Sequence, residues 1–174
     1  METPRSSWLN GPQLSGVGDD DPHAPSRWPG EKLGLPRTGA GALASVMRRV
    51  GGLTIDWIIS MLAALVISGE NLFALLSGSF DVDRYNSAIA NINQWTTLCF
   101  VVIGTVSVAL VARTPGQALM RMGVARIDDG DARVGLWRAL VRTFLTILLF
   151  PPIIVDSDGR GIHDRLTKTA VILG

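Results

Sequence analysis

Two apolar runs decide what this chain can become. Val50 to Ser68 carries Asp56 as its only charge, and Trp95 to Ala112, "WTTLCFVVIGTVSVALVA", carries none. At about 1.5 Å of helical rise per residue, each run is just long enough to cross a hydrocarbon layer of about 30 Å. A mean hydropathy of +0.31 over 174 residues points the same way. The expected fold is therefore an all-α integral membrane protein with two transmembrane helices at about 46–68 and 95–112.

The flanks set an orientation. Arg37, Arg48 and Arg49 precede the first run, and Arg113, Arg121, Arg126, Arg133 and Arg138 follow the second. The stretch between them holds Glu70, Asp81 and Asp83 against Arg84. Basic flanks stay in the cytoplasm, so the acidic loop is expected outside and the N-terminus inside. Net charge is +1, too small to argue for nucleic acid.

A third apolar segment, "TFLTILLFPPIIV", spans only 13 residues and contains Pro151-Pro152. With Arg138 and Arg142 drawn toward the membrane, a helix at about 136–155 is expected. It either crosses as a short span or breaks at the prolines and returns. The tail after it is basic again (Arg160, Arg165, Lys168), which favours a return. "GLWRALVR" sets Leu136, Ala139, Leu140 and Phe144 against Arg138 and Arg142, the pattern of a turn lying at the membrane surface. In "VARIDDGDARV", Asp129-Gly130 between two alternating runs predicts a small cytoplasmic β-hairpin, beside which "TAVIL" can add a strand.

Residues 1–42 form a separate arm. Six of the nine prolines lie there, with no apolar segment of signal-peptide type, so neither a regular helix nor a cleaved leader is expected. The arm is either disordered or extended along a partner, with Trp8, Leu9 and Trp28 as its anchors. Arginine outnumbers lysine 14 to 2, which reflects codon usage more simply than chemistry.

Asp56 raises the chemical question. A carboxylate below the headgroups needs a partner or a proton, and exposure to acyl chains would cost a few kcal/mol. Its helical face carries Arg49 two turns earlier and then Gly52, Ser60, Ala63 and Ala64, a stripe on which another helix can approach closely. Thr97, Gly104 and Ser107 offer the second run a compatible face. The candidate donors for Asp56 are Arg48, Arg49, a backbone group freed at Pro151-Pro152 and, most easily, Arg142 from a second helix. Arg49 can in turn meet Asp164. Cys99 reads as a small buried hydrophobe. His163 beside Asp164 suggests chemistry, but no activated nucleophile, metal cluster or cofactor motif accompanies it. No enzyme, no metal and no cofactor is expected.

Arg49, Asp56 and Asp164, in that order, resemble the arginine and two aspartates of the RDD family of small integral membrane proteins. The resemblance rests on "RRVGGLTIDWII", "TPGQALMRMGVARI", "LWRALVR" and "GIHDRLTKTAVIL", and covers residues 43–174. The arm and the interrupted third segment depart from the family pattern. The resemblance implies a helical membrane domain, and cation or proton exchange has been suggested for some members.

Two functions follow as expectations. One is an accessory or assembly subunit of a larger membrane complex, respiratory complexes among the hosts, in the bacterial plasma membrane. The other is a cation- or proton-coupled exchanger using Asp56. The expected partners are the bilayer and other membrane proteins, in a hetero-complex or a homo-oligomer.

Overall fold

The computed structural model describes residues 26–79, 81–128, 134–149 and 161–174. The protein is mostly helical, with two long apolar helices and a two-stranded sheet. Helix α1 runs Val46–Ser68; Ser45 caps it by accepting the Arg48 N–H, and Gly69 ends it at φ 67°. A short α2 (Leu72–Leu76) turns the chain into α3, Val82–Val111. Both long helices pass the length and hydropathy requirements for crossing a membrane. Only 22% and 33% of their most apolar windows are buried, whereas the core helix of a soluble protein is mostly covered. Trp57, Ile58, Met61 and Leu62 on α1 and Leu98, Val102 and Val106 on α3 all face outward.

α1 and α3 pack antiparallel. Leu65 sits with Ala88, Ile89 and Ile92, while Trp57 meets Phe100 at a 5.6 Å centroid separation. α3 begins 13 residues before the predicted position at 95. Asp81 caps it, its Oδ1 accepting the Arg84 N–H at 2.7 Å. Ala88 and Ile92 then pack on Leu75, so the polar-looking stretch 82–94 has a buried face that a scan for uncharged residues misses. Across the same end, Arg84 pairs with Glu70 at 2.8 Å.

At the opposite end, Ala112 closes α3 in a left-handed conformation (φ 55°), and α4 (Pro115–Leu119) turns the chain into β1, Met122–Arg126. α5 covers Leu136–Leu149 and α6 covers Ile162–Leu166; β2, Thr169–Leu173, pairs antiparallel with β1, Met122 opposite Leu173. The partner of β1 is thus the C-terminal strand. Most of the second arm of the predicted hairpin, with Asp129-Gly130, lies outside the described residues; Val134 and Gly135 are not in a strand. The far edge of β2 is bridged by the chain entering α1. Gly41 N–H donates to Leu173 O at 2.8 Å and Ala44 N–H to Val171 O at 2.9 Å. The start of α1, the end of α3 and the C-terminus therefore meet in one place, around Ala44, Met122 and Val171.

The predicted third helix is described to Leu149, and Pro151-Pro152 lie outside the described residues. Within α5 the expected apolar side is exposed apart from Ala139. Ala139, Arg142 and Thr143 are buried, while Leu136, Trp137, Leu140, Phe144 and Leu148 are exposed. Of the arm's anchors, Trp28 folds back on its own loop, Nε1 donating to Leu35 O at 3.1 Å, while Trp8 and Leu9 lie outside the described residues.

Candidate functional site

The buried stripe of α1 is Arg49, Gly52, Asp56, Ser60 and Ala64. Ala64, rather than the half-buried Ala63, completes it. The spacing of three and four residues keeps all five on one face, and two polar centres form along it.

The first centre is built by the turn after α3. Thr114 caps α4: its Oγ1 accepts the Gln117 N–H, and the Gln117 side chain returns to accept the Thr114 N–H at 3.0 Å. Pro115 at the first helical position has no N–H to satisfy. Gly116 has one, and it donates to Asp56 Oδ1 at 2.7 Å. The Thr114 hydroxyl donates to Asp56 Oδ2 at 2.5 Å. Both carboxylate oxygens are thereby engaged, one by the capping hydroxyl and one by an N–H that the start of a helix leaves without an intrahelical partner. The contact requires glycine: a Cβ on Gly116 would collide with the Gly52 carbonyl oxygen and come within 2.9 Å of Asp56 Cγ. Among the described residues, Asp56 thus takes no arginine. Arg142, the donor that helix geometry favoured, goes elsewhere, because two neutral groups on α4 already fill the carboxylate.

The second centre is Asp164, fully buried on α6. Arg142 Nη1 from α5 bonds its Oδ1, and Arg49 Nη1 from α1 lies 3.4 Å from its Oδ2. Arg142 Nη1 also donates to Thr169 Oγ1 at 3.1 Å, and Thr169 shares a 2.9 Å hydroxyl contact with Thr167. One carboxylate therefore joins α1, α5, α6 and the start of β2. Among the described residues, two guanidinium groups meet this one carboxylate. His163 lies on α6, but its side chain is outside the described atoms.

A third charge cluster escaped the sequence reading. Asp128 accepts both forks of two arginines, Arg126 at 3.0 and 3.0 Å and Arg138 at 3.0 and 2.9 Å. Those hydrogen bonds hold its carboxyl well below the usual range. The clamp joins the end of β1 to α5, and the only sequence signal was the excess of arginine around a lone acidic loop.

The predicted packing face of α3 is partly displaced. Gly104 is buried, but against Thr143 of α5: a Cβ there would meet Thr143 Cγ2 at 3.1 Å. Thr97 points outward with its hydroxyl on Asn93 O, and Ser107 is half-buried. The inward threonine is Thr96. Cys99 is buried and free.

Between the two centres lies a cleft of about 60 Å³. Arg49, Asp56, Ser60, Thr114, Gln117 and Arg142 supply its polar wall, and Leu53, Phe100, Ile103 and Val108 its apolar one. Compared with family models, curated proteins and solved structures, the chain matches none.

Proposed function

We propose that the chain is a non-enzymatic integral membrane protein of the RDD type that serves as an accessory or assembly subunit of a larger membrane complex, a respiratory assembly among the candidate hosts. It sits in a bacterial plasma membrane with its N-terminus in the cytoplasm. The observation that supports this most is the use of Asp56. The one acid in the apolar spans uses both oxygens to fasten α1 to α4, as a structural clasp does. A chain whose charges serve its own fold, and whose long helices leave most of their apolar surface uncovered, offers a scaffold to lipid or to neighbouring helices. The third segment is proposed to enter and return, because β1 before it and β2 after it pair at the same end of the helix pair.

Mild-detergent extraction from native membranes tests the reading. The chain is expected to migrate with a much larger complex, and recovery as a small homo-oligomer alone would overturn the subunit role. The exchanger reading draws on the cleft that Asp56 lines. In vesicles, it requires pH-driven cation flux that is lost in Asp56→Asn. The subunit reading expects no such flux in either protein.

A further inference from the structure

Arg49 is buried to a degree its partners do not explain. Its side chain is 4% exposed, and Nη1 alone reaches Asp164. Among the described residues, Nε and Nη2 have no hydrogen-bond partner. These two atoms form the side edge of the guanidinium, whose parallel N–H bonds match two oxygens of one phosphate or carboxylate. A buried donor left unmet costs about 1–3 kcal/mol, and more when it is charged. Arg49 carries two such donors and lines the cleft, but both nitrogens are closed to water in this structure, so an oxygen from the cleft meets them only when the guanidinium turns toward it.

The surroundings select the sign of the missing group. Among the described residues, Arg49 and Arg142 share a single carboxylate, which leaves the pair one negative charge short. Asp56 lines the same cleft but lies two helical turns away, about 10 Å along the axis. Each of its oxygens already accepts a bond from α4. Gln117 has its Oε1 on the Thr114 N–H, which leaves its amide NH2 to donate. Size agrees: about 60 Å³ holds several waters at roughly 10–15 Å³ each, or in their place one small oxyanion.

We propose that this cleft binds a phosphate-type oxyanion, gripped bidentately by the Nε–Nη2 edge of Arg49 with Arg142 beside it. The same chemistry is carried by free phosphate and by a phospholipid headgroup. The cleft reaches the sheet end of the apolar helices, where it meets Arg49 and Val171, and basic pockets between membrane helices receive such groups.

The full chain, delipidated in dodecyl maltoside, which contains no phosphate, separates the two sources. Inorganic phosphate is titrated against potassium chloride of equal ionic strength while thermal unfolding is followed. Native mass spectrometry then counts lipid retained from micelles doped with phosphatidylglycerol or with a phosphate-free glycolipid. A saturable rise in unfolding midpoint with phosphate assigns a free oxyanion. Selective retention of phosphatidylglycerol, with phosphate silent, assigns a headgroup. Either result supports the site. Arg49→Lys keeps a cation against Asp164 but removes the fork, and should weaken binding about tenfold or more. Thr146→Leu fills the cleft while leaving Arg49, Arg142 and Asp164 in place, and so decides the matter if the lysine variant does not fold. Phosphate no better than chloride with no selective lipid, or undiminished binding in either folded variant, means that the fork takes no oxyanion and overturns the proposal.

Discussion

Gly116 has the least freedom of any residue near the buried acid. Its N–H must reach Asp56 while its α-carbon passes the Gly52 carbonyl. Gly116→Ala is expected to push α4 off α1 and break both bonds to Asp56, costing about 2–4 kcal/mol. Gly51→Ala makes the internal comparison, since its Cβ meets only the flexible Met120 tip at 3.0 Å. There, the gain of up to about 1 kcal/mol from replacing a helical glycine should offset the crowding. Thermal unfolding in detergent should rank Gly116→Ala far below wild type and Gly51→Ala near it. Equal effects would remove the close approach as the reason for glycine. This fastening was legible only in part. The acid and its small-residue stripe are plain in "RRVGGLTIDWIIS", and so is the turn at "TPGQ". That the two meet is not, because a carboxylate suggests a counter-charge whereas Thr114 and Gly116 are neutral and about 60 residues away.

α5 shows why the elements were harder to read than the spans. Its periodicity marks a helix correctly and leaves open which face turns inward, and that face is the one bearing Arg142 and Thr143. Which face is inside depends on the solvent: water draws apolar residues inward, whereas a bilayer leaves the charge to find protein. The start of α3 was misplaced for a related reason, since polar residues outside the membrane extend a helix as readily as apolar ones within it. The Asp128 clamp between β1 and α5 is also tied to its surroundings, and it titrates. Its folded pKa lies below an unfolded value of about 3.9, so the native state holds the proton less tightly than the unfolded chain. The stabilisation is thus complete above the unfolded value and is lost as pH falls toward the folded one. Asp128→Asn should be less stable than wild type at pH 7, with the gap closing as the buffer is acidified below about pH 4. Unfolding midpoints of the two proteins across that range give the test, and a pH-independent gap would show that charge is not what the clamp contributes.

At the scale of the whole molecule, the sheet carries more topological information than the helices. β2 lies between β1 and residues 41–44, so the approach to α1, the exit from α3 and the C-terminus share one end of the antiparallel pair. If α1 and α3 cross a bilayer, all three share one side, and the chain between β1 and β2 must begin and finish there. The arginine count favoured that arrangement but left a crossing open. Strand register could not be read from sequence, because "TAVIL" fits a strand in either case. Two lysines make the outcome measurable. Lys32 precedes α1, Lys168 precedes β2, both are exposed, and the chain has no others. A membrane-impermeant amine reagent should therefore label both or neither from a given side, with Lys32→Arg and Lys168→Arg assigning each signal. In intact cells neither should react, in inside-out vesicles both should, and a lysine placed at Ser79 in the opposite loop should give the reverse pattern. Labelling of Lys168 without Lys32 would require the third segment to cross. That would part β2 from residues 41–44, and with them the Arg49–Asp164 contact that ties the C-terminal helix to α1.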